Sequence, residues 1–339
     1  MTLYLGSNKI GSSINKNENK LAKLIQGNID VLTFADFGDI TTIRSRIFED
    51  MTNLVEVQIP GTVTTIAGSV FYDCTNLSKL TLSENLISIG SNALRGCSSL
   101  TSIELPEGLE TLESNAISYC DNLETINIPS TLKSFGGISY CPKLSSEIVL
   151  PVGVTDLSGY YNFLECPSLT KVTILGDVKE FGYGTFVGCA SLKEVTIPQN
   201  LEKLGDFCFD WCESIEEIIL PDTVTELGEC CFRKCTSLKN VKLSSNITAF
   251  PMSLFLNCTS LEKITIPAKV ISIDQQVFQG CSSLKEITCE AMTPPALDSY
   301  ALNSSNVVEV IYVPTGTSDL YKAAENWSDF ADIIVEKEM

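Results

Sequence analysis

Ten cysteines recur down the chain at a nearly constant step: Cys74, Cys97, Cys120, Cys141, Cys166, Cys189, Cys212, Cys235, Cys258 and Cys281, separated by 23, 23, 21, 25, 23, 23, 23, 23 and 23 residues. A repeat of this length is one supersecondary unit that cannot bury a core alone, so its copies must stack into a solenoid. Few other features of a chain restrict its fold so tightly.

Aligning the copies on the cysteine gives a template. Three residues after it stands an apolar residue, from Leu77 and Leu100 through Ile215 to Leu284. At six and eight residues after it come pairs such as Val195 with Ile197 and Ile264 with Ile266, the period-two pattern of a strand with one buried face. Proline follows in many copies (Pro60, Pro106, Pro129, Pro198, Pro221, Pro267) and ends the strand, because it has no N–H to donate. Further on come two more apolar positions, as in Val224 with Leu227, and then Phe or a substitute three residues before the next cysteine: Phe71, Leu94, Ile117, Phe186, Phe209, Phe232, Phe255, Phe278. The stretch between Phe and Cys is too short for a full helix and predicts a tight turn or irregular coil. Met51 fills the cysteine slot of an earlier copy, Phe48–Met51–Leu54, giving about eleven coils.

The segments Phe186-Val-Gly-Cys-Ala-Ser-Leu-Lys-Glu-Val-Thr-Ile-Pro and Cys281-Ser-Ser-Leu-Lys-Glu-Ile-Thr resemble the BspA-like leucine-rich repeat family. The likeness covers about residues 40–290. It rests on the recurrence of Phe-x-x-Cys-x-x-Leu-x-x-(Val/Ile)-x-(Leu/Ile)-Pro. Thr293-Pro294-Pro295, Ile311-Tyr312-Val313-Pro314, Tyr321 and Trp327 are similar to the closing module of such proteins. The resemblance implies a right-handed solenoid and a non-enzymatic module of the cell surface that attaches to host matrix or other cells. The expected organisation is an N-terminal cap over 1–35, with Leu21, Leu24 and Ile25 on one face of a short helix, a solenoid over 36–290, and a C-terminal cap over 291–339. That second cap is read as a strand at 307–313, a helix at about 318–326, and Trp327 and Phe330 folded over the last coil.

Composition narrows function by exclusion. The net charge of −19 argues against nucleic acid, whose phosphates require clustered Lys and Arg. No run of 18 or more apolar residues predicts a membrane span. The opening residues lack the apolar core of a signal peptide. Surface display, a cytoplasmic location and a place in a virion therefore all stay open, and a structural part of an extracellular assembly such as a phage tail is the alternative function. With no histidine, Ser-His-Asp and Cys-His catalysis and His-ligated metals are excluded. No cofactor is expected.

Several residues stand out as candidate sites. The ladder cysteines read as small buried apolar residues, against the alternative of a disulfide framework or thiol store. Cys208 and Cys231 lie in an interior column four residues before a ladder cysteine. With Cys212 and Cys235 they offer four thiolates in a formal zinc pattern, or a Cys208–Cys231 disulfide, against plain packing. Cys230 shares a polar column with Ser69, Asn92, Asn115 and Gln276, and is expected to be the most exposed thiol. The outward strand face, with pairs such as Lys79 and Thr81 or Glu194 and Thr196, reads as a solvated surface of Thr and mixed charge. The template breaks between 133 and 166. Tyr119 and Tyr140, with Trp211 further on, occupy the slot before the ladder cysteine that Gly96, Gly188 and Gly280 occupy elsewhere. Together with Tyr160 and Tyr161 these aromatics are the candidate surface for a protein or cell-surface partner.

Overall fold

The computed structural model describes residues 40–145, 147–302 and 307–338, and before them the backbone of strands Leu3–Leu5, Asn8–Ile10 and Val31–Thr33. The helix expected around Leu21, Leu24 and Ile25 lies outside the described residues. The chain is a parallel β-solenoid of about 13 turns with little helix, close to the coil count that the cysteine register marks. It forms two compact units, residues 1–156 with 162–176 and residues 157–161 with 177–339.

In the first unit, strands Val31–Thr33, Glu56–Gln58 and Lys79–Thr81 pair in parallel one coil apart. Ser102–Ile103 pairs with Thr125–Ile126, and Ile148–Leu150 with Lys171–Ile174. A second column of two-residue strands runs through Thr42–Ile43, Thr65–Ile66, Ser88–Ile89, Thr111–Leu112 and Ser134–Phe135. The shortened coil adds one further pair, Ile117–Ser118 with Ile138–Ser139.

The second unit repeats both columns. Glu217–Ile219 pairs with Asn240–Lys242, and a four-stranded sheet runs Lys263–Ile266, Glu286–Cys289, Val310–Pro314, Ile334–Lys337. Those last two strands continue the ladder, so the C-terminal segment adds coils as well as covering the core. Helix α1 (Ser318–Ala323) and a 3-10 turn over Ser328–Ile333 connect them. Tyr321 and Trp327 are fully buried, the indole N–H bonding the Pro295 carbonyl at 2.8 Å and the phenol the Ala291 carbonyl at 2.6 Å.

The core is built of single-residue columns. Phe186, Phe209, Phe232, Phe255 and Phe278 stack face to face, with ring centroids 5.1–5.9 Å apart and planes within 16°. Strands 4.7–4.9 Å apart put identical side chains at this spacing, which favours offset stacking.

Candidate functional site: the turn edge and its aromatic side chains

The segment between Phe and Cys forms no helix; it is a pair of turns pinned to the next coil. The residue just before each ladder cysteine has a left-handed backbone, with φ between 52° and 76° from Asp73 to Gly280. A second left-handed residue stands five before the cysteine in most coils, as at Ser69, Asn92, Asn115, Tyr161, Phe207, Cys230, Ser253 and Gln276. Such a backbone costs a non-glycine residue about 1–2 kcal/mol. The compensation is hydrogen bonding: amides of both columns donate to carbonyls of the following coil. Examples are Tyr119 to Ser139 (3.1 Å), Tyr140 to Leu164 (2.7 Å), Tyr161 to Tyr183 (3.0 Å), Phe207 to Glu229 (2.8 Å) and Trp211 to Arg233 (2.9 Å). The stack imposes this conformation whatever residue occupies the slot.

The aromatic candidates divide between the units. In the first, Tyr119 stacks on Tyr140 with centroids 4.2 Å apart and planes within 17°. The Arg95 guanidinium lies 4.1 Å from the Tyr119 centroid and 5.8 Å from that of Tyr72, so Tyr72, Arg95, Tyr119 and Tyr140 form one layered row over successive coils. In the second unit, Tyr160 and Tyr161 meet Tyr183, which the sequence reading did not single out. Tyr183 in turn lies 5.3 Å from Phe207, and Arg233 covers Phe207 at 5.2 Å while gripping the buried Asp210 through two hydrogen bonds. Trp211, 42% exposed, carries the Lys234 ammonium on its ring. Tyr183 and Phe207 occupy the columns six and five before a cysteine, where Tyr160 and Tyr161 also stand. Aligning those columns would have exposed the row.

All fourteen cysteines are buried free thiols. The ladder thiols also donate hydrogen bonds, which the apolar reading missed. Eight of them reach the carbonyl of the Phe-slot residue one coil back, for example Cys74 to Phe48 and Cys258 to Phe232, at 3.0–3.5 Å. Burial pushes the Cys74 and Cys281 thiols up to about 12, and those of Cys97, Cys212, Cys235 and Cys258 well upward. Within the formal zinc quartet, Cys212 and Cys235 are tied to the Phe186 and Phe209 carbonyls. Burial and a hydrogen bond with Cys231 raise Cys208, so these two face each other as thiols. Among the described residues no three His, Cys, Asp or Glu converge to hold a metal ion.

Cys230 is the most exposed of the fourteen thiols, as expected, yet at 4% it is still buried. Its left-handed backbone, φ 54°, places the thiol among Arg233, Asp210 and Ser253 rather than in solvent. A polar column does not guarantee exposure when the two residues flanking it on the same edge form a bidentate ion pair.

The outward strand face carries ion-pair rungs between coils, Lys79 with Glu56, Lys239 with Glu216 and Lys285 with Glu309. A shallow cleft of about 870 Å³ in the first unit is lined by Lys79, Thr81, Ser102, Glu104, Thr125 and Asn127. Its most constrained member, Asn127, bonds the Leu105 amide and carbonyl, both at 2.7 Å, where a strand would otherwise pair. On the outward strand face of the second unit stands the aromatic Tyr312, paired with Thr288 and Val335 and covered by Lys337 at 4.4 Å.

Comparison with curated proteins returns no match. Among solved structures, the pneumococcal vaccine antigen PcpA is similar at 21% identity and TM-score 0.54, over 90% of this chain and 73% of its own, a likeness of fold. A leucine-rich cell surface protein of Faecalibacterium prausnitzii matches at 22% identity and TM-score 0.49, over 87% of this chain and 90% of its own. A leucine-rich repeat protein of Bacteroides ovatus matches at 22% identity and TM-score 0.48, over 91% and 90%. The profile of the BspA type leucine-rich repeat region matches residues 26–145, 137–210, 157–285 and 202–328, the greater part of the chain, and with the cysteine and phenylalanine columns it places this protein in the BspA-type leucine-rich repeat family.

Proposed function

We propose that the chain is a non-enzymatic binding module that presents its turn-edge aromatics to a protein partner on host matrix or a cell surface. One observation carries the reading. Tyr119, Tyr140, Tyr161, Phe207 and Trp211 hold left-handed backbones, at slots where Gly, Asn or Asp would be less strained. The stack imposes the conformation, yet large aromatics at these half-buried to exposed slots gain the fold nothing in backbone preference, which supports a surface shaped for contact. The thiols support the non-enzymatic half of the proposal, since buried groups held in the protonated form are poor nucleophiles.

The test is capture from host-cell, matrix and bacterial-envelope extracts by the full chain and by a Tyr119/Tyr140/Tyr160/Tyr161/Trp211→Ala variant of equal thermal stability. Losing a hot-spot aromatic costs about 2 kcal/mol or more, so the variant is expected to release the partner. Equal capture by both would move the site off the turn edge. Capture by neither would turn the reading toward a structural part of an extracellular assembly.

A further inference from the structure

We infer that the Tyr160–Tyr161–Tyr183 cluster in the second unit is a seat for a cationic side chain, a lysine or arginine on an extended segment of a protein partner. This deepens the proposed function and rests on its reading of the turn edge as the binding surface.

Three features of the cluster converge on a cation. The first is ring geometry: the three centroids lie 5.3–6.4 Å apart with planes tilted by 47–87°, so the rings do not stack away one another's faces, and Tyr160 and Tyr161 are 76% and 37% exposed. Aromatic faces are negative and attract a cation within about 6 Å of the centroid. The second is that no cation covers these rings. Elsewhere in this unit the chain supplies its own cation, Arg233 to Phe207 and Lys234 to Trp211; Arg233 acts on Tyr183 through its charge, but among the described residues no Lys or Arg lies over the Tyr160, Tyr161 or Tyr183 ring. Gly184 lets Tyr161 pack down at the edge of the cluster: a Cβ there would stand 2.8 Å from the Tyr161 ring, so one side of that ring rests on bare backbone and any cation must sit on the other rings or its free side. The third is charge. Asp206 acts on Tyr183, and one of its oxygens accepts the Glu229 amide at 2.9 Å while the side chain stays exposed. The whole chain carries −19, which draws cations and repels anions.

The probe is a fluorescent peptide of about twelve residues alternating Lys with Ser, titrated into the full chain at near-physiological salt. Its lysine-acetylated twin is the control. Tyr183→Leu and Tyr160→Leu are each expected to weaken the basic peptide about tenfold. Asp206→Asn, which retains the acceptor for the Glu229 amide, is expected to weaken it about threefold. Tyr160 is exposed enough that its replacement leaves the core intact, which guards against a variant that merely misfolds. The acetylated peptide is expected not to bind. Equal binding by wild type and both tyrosine variants would assign the affinity to diffuse acidity and overturn the inference. So would equal binding of the acetylated peptide, which would point to uncharged stacking such as that of a sugar ring, and so would no binding of the basic peptide at all. If the peptide fails while the aromatic variant still loses its captured partner, the turn-edge reading stands and only the cation is wrong.

Discussion

A thiol fills a small buried slot much as a methyl group would, yet it also donates a weak hydrogen bond. That dual character accounts for the cysteine column better than size alone, because the Phe-slot carbonyl of the preceding coil would otherwise be buried with one fewer donor. The Phe209 carbonyl keeps the Cys212 amide when the Cys235 thiol is removed, so Cys235→Ala is expected to lower stability by about 0.5–1.5 kcal/mol, the usual net contribution of one hydrogen bond. Urea unfolding of the reduced protein reads it, and an unchanged midpoint would reduce the column to packing. The same burial sets a pH dependence. Unfolded thiols ionise near 9.0, whereas Cys74 and Cys281 in the fold are pushed up to about 12. Between those values the unfolded chain binds fewer protons than the folded one, so stability is full below pH 9 and declines as pH rises toward 12. Each thiol still protonated in the fold contributes at most about 1.4 kcal/mol per pH unit. Urea midpoints at pH 7.5 and 10.5 under reductant should differ accordingly, and equal midpoints would contradict the burial. The sequence made the column legible as buried but not as a donor, since a hydrogen bond to a residue 26 positions back leaves no local trace.

The strand and the proline that ends it follow from local chemistry, alternation and a missing donor, and both are readable one coil at a time. The turn that follows is different in kind. Its left-handed slots accept Asp, Gly, Tyr, Glu, Trp, Lys and Asn alike, so no composition betrays them; the amides of the stack enforce the conformation. Two substitutions separate imposed strain from preference. Glu165, exposed at φ 53°, should gain about 1 kcal/mol as Gly, which adopts this conformation freely, and lose stability as Val. Thermal melts decide it, and opposite signs would mean the side chain makes a contact worth more than the strain. Glycine matters for another reason at Gly205, where a Cβ would approach the Gly182 and Tyr183 backbone to 2.7–2.9 Å. Two coils touch there main chain to main chain. Gly205→Ala is expected to cost about 1–3 kcal/mol, as overpacking does, and a neutral result would show that the coils can part without penalty.

At the scale of the whole molecule the repeat period alone sufficed to read a solenoid, because each coil can bury its Phe and Leu only against a neighbour. The candidate site was legible only in part. Tyr119, Tyr140, Tyr160, Tyr161 and Trp211 broke the template and so drew notice, whereas Tyr183 and Phe207 fit it in sequence and become partners only through stacking. The end of the ladder was also hidden. Ile334–Lys337 lacks the cysteine signature, and its place in the sheet depends on Trp327 and Tyr321 filling the space that ladder residues fill elsewhere. A solenoid's stability is a sum of coil and neighbour terms, so damage should stay local. Removing a buried indole costs about 3–5 kcal/mol, and Trp327 also holds the Pro295 carbonyl. Trp327→Ala is therefore expected to speed hydrogen exchange in Val310–Pro314 and Ile334–Lys337 by at least a hundredfold, while amides of Lys203–Leu204 and Glu217–Ile219 in the same unit keep their protection. Loss of protection throughout the unit would mean that its coils unfold as one cooperative block, and that the C-terminal strands govern the stability of that unit's aromatic edge.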